Sequence, residues 1–371
     1  MKRILIAGGG TGGHIYPSLS VIQSLRKKSS EKVRIIYIGS GSELEKPLYE
    51  ISDKSYTISS GKWKRYFAWS NFFSPLLISW GWFQSLMFIL REMPDVVFSK
   101  GGYVSFPVVV AARFYAIPII IHESDAIPGI ANRILGKFAK KIAIGFPSAK
   151  EYFLEGKMVL TGNIARPDVT QGDPMRARKT FSFSESKPVI LVLGGSQGSQ
   201  SINTYIVEIL AETLPFAQIL HQTGQKNLEE VLHLAKEREG IKPYREGYHP
   251  IAFLDAEQMK DALSLADLVI SRSGATSIAE IAACKKVSIL IPLANSANNH
   301  QRFNAFALAK KGASVVLEES NLGVHVLFGK VKQLLFDTEV RESMKKQIEF
   351  FDYVNASDEV ADLIMENYAK K

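Results

Sequence analysis

The chain has one cysteine in 371 residues, Cys284. A disulfide framework is therefore excluded, and a reducing cytoplasm is the expected setting. Cys284 sits in an apolar helical pattern with no histidine close by in sequence, so it reads as a packed core residue and not as a nucleophile. No Asp-x-Asp pair occurs, and no Cys/His cluster has metal-ligand spacing. No metal or other cofactor is therefore expected. Low-complexity segments and short-period repeats are absent, which argues against solenoids and tails. No signal peptide is expected, because Lys2 and Arg3 precede only the short apolar run Ile4–Ala7, which runs straight into glycines.

What is present is an apolar, unevenly charged chain. Apolar residues make up 46% of it, enough for two cores at this length. The net charge is +8. Residues 1–162 carry 21 Lys and Arg against 11 Asp and Glu, whereas the remainder carries 24 against 26. A basic first half suggests that it meets an anionic surface, supplied by nucleic acid or by membrane lipid.

Short β-type runs alternate with helical patterns throughout. In the first half they are Ile4–Ala7, Val33–Ile38, Val96–Phe98, Ile119–Ile121, Lys141–Ile144 and Val159–Leu160. In the second they are Val189–Leu193, Ala217–Leu220, Leu268–Ile270, Val287–Ile291 and Ser314–Val316. Buried runs separated by helices imply parallel sheets covered on both faces. The expectation is an α/β chain with two doubly wound, Rossmann-like domains, 1–162 and 163–351. The segment Thr161–Pro174 would be the hinge, and a last helix within about 352–371 is free to pack on either domain.

Tyr66 to Leu90 contains no charge. All four tryptophans, Trp63, Trp69, Trp80 and Trp82, lie in or beside it, and Lys62, Lys64, Arg65 and Arg91 flank it. Polar residues and Pro75 interrupt it. Indole rings and flanking cations favour a bilayer interface, so the expectation is a partly exposed helix and loop dipping into anionic headgroups. A core helix and a full span are the alternatives.

The motifs fall at strand ends. Gly8-Gly9-Gly10-Thr11-Gly12-Gly13-His14 follows the first strand and opens a helix, as a diphosphate cradle does. A dinucleotide site would also want an acid at the end of the second strand, and Glu43 comes late for it. His14 lies in the first helical turn, where it either contacts a reacting group or merely packs. Gly101-Gly102-Tyr103 and His122-Glu123-Ser124-Asp125 follow two further strands, and His122 reads equally as a structural histidine. Gly194-Gly195-Ser196-Gln197-Gly198 fits either a phosphate cradle or the nucleophile elbow of a serine hydrolase using Ser196. In Ser271–Glu280 a loop with Gly274 opens a helix at Thr276, with Glu280 one turn further on the same face. An anion suits that helix tip, and the carboxylate suits ribose hydroxyls. Arg166 is a candidate for stabilising a leaving phosphate, and Arg272 is either a ligand or a surface pair. Asn298-Asn299-His300-Gln301 places side-chain amides at another helix start.

Together these runs resemble the MurG family, the N-acetylglucosaminyltransferases that convert lipid I to lipid II in peptidoglycan synthesis. GGGTGGHIYP, SKGGYVSFP, HESDAIPGIAN, TGNIARP, GGSQGSQSIN, FLDAEQM, SRSGATSIAEI and NNHQRFNA occur in the family's order over nearly the whole chain. The resemblance implies the GT-B fold, with an inter-domain cleft, and inverting transfer of GlcNAc from UDP-GlcNAc to the muramoyl C4 hydroxyl of lipid I without a required metal. It implies that Glu280 holds the ribose, that Ala275, Thr276, Ser277, Ile278 and Ala279 line the diphosphate and nucleoside, and that Leu254 offers its backbone to uracil. Ser196, Arg166 and Asp125 would contact the donor, and Gln301 would read the GlcNAc hydroxyls. Thr11, Gly12 and Gly13 would touch donor sugar and acceptor diphosphate. Gly101, Gly102, Tyr103 and His122 would lie on the acceptor side, with His14 and Glu123 as alternatives for the general base. The implied partners are UDP-GlcNAc, lipid I, an anionic membrane surface met through residues 63–91, and cell-wall synthesis and division proteins, with no nucleic acid. The implied place is the cytoplasmic face of the cell membrane. Asp125 stands where many relatives have asparagine, so an amide donor is replaced by a carboxylate. A glycosyltransferase with another lipid acceptor, such as diacylglycerol, is the alternative in the same fold.

Overall fold

A computed structural model describes residues 1–10, 12–29, 32–61, 70–166, 168–195, 197–239, 247–294 and 296–368. Its chain contacts divide it into two units. One is Met1–Pro167 with Tyr353–Lys371, and the other is Asp168–Asp352. The division thus follows Pro167, within the expected hinge and later than 162.

The first unit holds strands β1 (Lys2–Gly8), β2 (Val33–Gly39), β3 (Lys54–Thr57), β4 (Val96–Gly101), β5 (Ile119–Glu123), β6 (Lys141–Ile144) and β7 (Met158–Leu160). They form one parallel sheet in the order β3-β2-β1-β4-β5-β6-β7. The second unit holds β8 (Val189–Leu193), β9 (Gln218–Gln222), β10 (Tyr248–Ile251), β11 (Leu268–Ser271), β12 (Ser288–Leu290) and β13 (Val315–Val316). Their order, again all parallel, is β10-β9-β8-β11-β12-β13. Both are the expected doubly wound sheets. Each order reverses once, between β1 and β4 and between β8 and β11. Open parallel sheets bind ligands at the carboxyl ends of the strands where the order reverses. The glycine loops after β1, β4, β8 and β11 sit there.

Two strands carry no apolar run that would mark them in the sequence, β3 and β10, and both are edges. β3 is KSYT, with no fully buried residue, and β10 contains Pro250. Edge strands tolerate charge and proline and lose the apolar run that marks a central strand.

The first helix, Gly12–Lys28, turns Ile15, Val21, Ile22 and Leu25 onto the sheet beside Ile4, Ile6 and Phe98. Its outer side takes the last helix, Ala356–Glu366, through Val360, Ala361 and Ile364. Ser24 Oγ donates to Ser357 Oγ at 3.1 Å, and Lys28 pairs with Asp362. The returning chain passes over Gly162, where a Cβ would lie 1.8 Å from the Tyr353 ring. The C-terminal helix therefore belongs to the first unit.

The helix Ser70–Glu92 runs through Pro75 and turns Gly81, Ser85 and Ile89 inward, at i, i+4 and i+8. A Cβ at position 81 would lie 2.0 Å from the Ser59 carbonyl oxygen, so the helix lies directly on that segment. Leu76, Leu77, Trp80, Trp82, Phe83, Met87 and Leu90 remain exposed. This is a partly exposed helix, and no helix among the described residues is long and apolar enough to cross a membrane. Trp63 and Trp69, expected beside it, lie outside the described residues.

Candidate functional site

In the first unit the site is built on β1. Gly8 and Gly10 have φ of +154° and +89°, which a residue with a Cβ rarely adopts. Gly9 is required for a different reason: its Cβ would lie 2.0 Å from Glu45 Oε1. Glu45 is fully buried. It accepts from the Gly10 amide at 3.0 Å, the Ser40 amide at 2.8 Å, the Ser40 hydroxyl at 2.7 Å and the Gly41 amide at 3.1 Å. One carboxylate thus ties the loop after β1 to the loop after β2. The acid that serves the end of β2 is thus Glu45 and not Glu43, and it braces two loops.

The helix begins at Gly12, and His14 occupies its first turn. Its Nδ1 lies 3.0 Å from the Gly9 carbonyl oxygen. A carbonyl only accepts, so this bond assigns the proton to Nδ1 and the lone pair to Nε2. The ring sits against Gly102, where a Cβ would come within 3.2 Å of Cε1. Tyr103 packs its ring on Gly10. Burial first, and then the Lys100 ammonium, push the His14 pKa down to about 4. The arrangement presents a neutral imidazole, able to take a proton at Nε2, beside a glycine cradle. Thr11 lies outside the described residues, and Gly13 is exposed at the helix start.

Two expectations for the loop after β5 need correction. His122 is fully buried, and its Nε2 lies 3.1 Å from the Gly162 carbonyl oxygen. Burial holds its pKa well below the usual histidine value. It packs between sheet and linker. Glu123 is also buried, and both its oxygens are engaged. Oε1 accepts from the Asp125 amide at 2.9 Å; Oε2 accepts from the Gly129 amide at 3.2 Å and Asn132 Nδ2 at 3.0 Å. Burial, followed by the Asp125 charge, raises its pKa. Glu123 thus braces the loop that carries Asp125. Lys100, which no motif singles out, is 2% exposed and donates to Ser124 Oγ at 3.0 Å. Arg166 lays its guanidinium over the Tyr16 ring, 4.8 Å from the centroid.

In the second unit a cavity of about 390 Å³ opens between the loops after β8 and β11. Gly194, Gly195, Ser199, Gly274, Ser277 and Gln301 are among its walls. Gly274 precedes the helix Ala275–Ala283, and a Cβ added there would meet no atom within 4 Å, so the helix tip is open. Ala275, Thr276 and Ser277 form the first turn and are half-buried. Ile278 and Ala279 are buried in the next turn, and the Ile278 amide donates to the Gly274 carbonyl. Glu280 is 2% exposed, held within the helix's buried side. Leu254 is narrowed in the same way. Its amide donates to Gln222 Oε1 at 3.0 Å, so only its carbonyl oxygen suits a base edge. Gln222 also donates to the Gly195 carbonyl at 3.1 Å and links the two loops. Gln301 lines the cavity, its Oε1 held by the Leu293 amide at 3.1 Å. Ser196 lies outside the described residues.

Arg272 is neither a surface pair nor simply a ligand. It is 8% exposed and donates to the Ile291 carbonyl at 3.1 Å, Ser199 Oγ at 2.6 Å, Ser201 Oγ at 3.2 Å and Glu319 Oε1 at 2.6 Å. Ser199 in turn caps the helix Gln200–Glu208. Glu319 also holds the Ala294 amide at 3.0 Å. The segments that follow β8, β11, β12 and β13 meet at this one ion pair. Cys284 lies just past its helix with its thiol 3.5 Å from the Val169 carbonyl, and burial pushes its pKa up to about 12. It is a packing residue. His221 is buried between Tyr248 and Asn203, so it is no base for a serine nucleophile.

Residues 4–144 match the glycosyltransferase family 28 N-terminal domain, and residues 189–362 match the family 28 C-terminal domain. A Clostridium perfringens UDP-N-acetylglucosamine–N-acetylmuramyl-(pentapeptide) pyrophosphoryl-undecaprenol N-acetylglucosamine transferase is 40% identical over 337 residues, 90% of each chain. The chain belongs to the MurG family of glycosyltransferases. The Lachnospira eligens transferase of the same name is 37% identical over 99% of both chains. The crystal structure of Acinetobacter baumannii MurG superposes with a TM-score of 0.76, at 26% identity, over 99% of this chain and 100% of that one. Membership of MurG also removes the serine-hydrolase reading of Ser196. Four of the eight matching runs, GGGTGGHIYP, SKGGYVSFP, GGSQGSQSIN and SRSGATSIAEI, lie at the ends of β1, β4, β8 and β11, at the two switch points of the sheets.

Proposed function

We infer that the protein transfers GlcNAc from UDP-GlcNAc to the C4 hydroxyl of the muramoyl-pentapeptide of lipid I, forming lipid II for peptidoglycan. The observation that carries this is identity of 37–40% over 90–99% of relatives named for that reaction. It favours lipid I over diacylglycerol as acceptor.

The roles assigned to single residues are our proposal. The open tip of the helix Ala275–Ala283, with the amides of the glycine loop after β8, receives the donor diphosphate; its dipole opposes the charge that grows as UDP leaves. Glu280 and Gln301 are assigned to ribose and GlcNAc hydroxyls, and Arg166 to the donor. The glycine loop after β1 takes the acceptor. His14 Nε2 accepts the C4 hydroxyl proton while that oxygen bonds to C1 of GlcNAc. The C1–O bond to the diphosphate breaks on the opposite face, and UDP departs with the electron pair. No metal enters this scheme. A pKa near 4 makes His14 a poor base in the empty site. An acceptor diphosphate placed beside it raises that value, because a neighbouring anion favours the charged imidazolium.

We place the enzyme at the cytoplasmic membrane face, peripherally attached. The exposed apolar side of Ser70–Glu92 and the basic first half support this reading. Contacts with cell-wall synthesis and division proteins would follow from that position.

The test is product analysis. Enzyme with UDP-GlcNAc and lipid I is expected to yield lipid II and UDP, with UDP-glucose and diacylglycerol as poor substitutes. Turnover with diacylglycerol and none with lipid I would overturn the acceptor assignment.

A further inference from the structure

A second cavity in the first unit, about 630 Å³, is not needed by the chemistry above. It lies at the carboxyl ends of β2 and β3, against the helix Ser70–Glu92. Ser42, Thr57, Ser59, Ser60, Gln84 and Tyr103 line it. Among the described residues no charged side chain does. Its walls are hydroxyls, one amide and the apolar Ile58 and Leu77.

Three features bind this cavity to the acceptor loop. Tyr103 belongs to both, since its ring also packs on Gly10. Glu45 holds the Gly10 amide and, with the same carboxylate, the Ser40 and Gly41 backbone at the cavity's edge. On the other wall Gln84 Oε1 accepts from the Ser59 amide at 2.8 Å, and Gly81 seats the helix on the Ser59 carbonyl. The cavity is therefore braced to the acceptor cradle. Its outer rim meets the exposed apolar side of the same helix, where the lipid tail of an anchored acceptor would start.

The chemistry of the lining selects the occupant. A diphosphate needs cations or a helix tip, and the described lining supplies neither. An apolar tail gains nothing from a wall of hydroxyls. Peptide amides, with one donor and one acceptor per residue, match such a wall. The acceptor named for the relatives carries a pentapeptide. We propose that this hydroxyl-lined cavity is the subsite for the amide backbone of the acceptor's peptide. The proposal rests on the lipid I reading above.

The experiment compares two acceptors: lipid-linked diphospho-MurNAc with its peptide, and the same lipid with the lactoyl group ending in a simple amide. Two neutral hydrogen bonds are worth roughly a tenfold change, at about 0.5–1.5 kcal/mol each. The wild type is expected to show a KM about tenfold higher for the peptide-free acceptor. Ser60→Leu, which narrows the cavity and removes a wall hydroxyl, should raise the KM for the peptide-bearing acceptor about tenfold, and leave the peptide-free acceptor and UDP-GlcNAc within about twofold. Ser42→Leu removes another hydroxyl of the lining and should do the same, so misfolding of one variant does not decide the matter; thermal melts identify it. Equal KM values for both acceptors in the wild type would overturn the proposal. So would a parallel loss for both acceptors in two folded variants. A wild type that glycosylates neither acceptor would instead overturn the lipid I reading.

Discussion

Replacing Arg272 with leucine tests whether the second unit's cavity is held by one ion pair. The guanidinium is 8% exposed and serves Ile291, Ser199, Ser201 and Glu319. Removing one partner of a buried pair costs about 3–5 kcal/mol, because the other charge is left uncompensated. Glu319 keeps the Ser201 hydroxyl and the Ala294 amide, and its side chain is 19% exposed. The expected loss therefore lies at the low end, about 3 kcal/mol. Replacing both partners, Arg272→Leu with Glu319→Leu, should recover at least about 1 kcal/mol of it, since no buried charge then remains. Urea unfolding of the full chain, followed by far-ultraviolet circular dichroism, gives these values. UDP-GlcNAc titration by calorimetry should show about tenfold weaker binding in the single variant, as Ser199 and its loop lose their anchor. Stability within about 0.5 kcal/mol of the wild type in the single variant would refute the clamp, because that is the range of ordinary surface substitutions.

Further outcomes follow from the same geometry. His14 and His221 are held neutral with pKa values of about 4 and about 3, whereas the unfolded chain protonates them near 6.5. For these two groups the unfolded state binds more protons, so they lower stability as pH drops through 6.5 towards 4; Glu123, raised to about 7 by burial first and then by the Asp125 charge, offsets one of them over that span. Glu319 adds a loss at lower pH: burial would raise its pKa, but the Ser201, Arg272 and Ala294 hydrogen bonds prevail and lower it. Melts from pH 8 to pH 4 check this, and unchanged stability across that span would contradict it. Gly102→Ala forces a Cβ against His14 at a φ of +86° and should cut kcat about tenfold with UDP-GlcNAc affinity unchanged, read by steady-state kinetics. Glu280→Ala should weaken UDP-GlcNAc binding by about 10- to 100-fold, the worth of hydrogen bonds to a charged group, and unchanged affinity in calorimetry would remove Glu280 from the donor site.

Much of this architecture is legible in the sequence, and its limits have physical causes. Central strands such as Ile4–Ala7 and Val189–Leu193 announce themselves because both faces are buried, so every position is apolar. β3 and β10 escape because an edge strand needs no such run. The loops at the switch points are legible because glycine is demanded there by φ or by close approach, as at Gly10 and Gly102. The braces are not. Gln222, Lys100 and Glu319 act through groups distant in sequence, Glu45 joins its neighbours Ser40 and Gly41 to the distant Gly10, and no local spacing marks an acid that will accept four hydrogen bonds. The glycine loops did carry one unread sign of Glu45: Gly9 and Gly39 both leave room for its carboxylate. Glu123 stood as an alternative general base, and His122 as an acceptor-side residue or a structural histidine, on the family resemblance and their place at a strand end. Their burial, visible only in three dimensions, assigns them to the scaffold.

The central claim is that a neutral His14, seated by Gly102 and the Gly9 carbonyl, takes the acceptor proton while the nucleotide is bound by the other unit. Its most direct test is the single-turnover rate of GlcNAc transfer to lipid I by His14→Asn, with UDP-GlcNAc affinity measured separately. The account predicts a rate lower by about 100-fold or more, the ordinary worth of a general base, with donor affinity within about twofold of the wild type. A variant that transfers GlcNAc at the wild-type rate would contradict it.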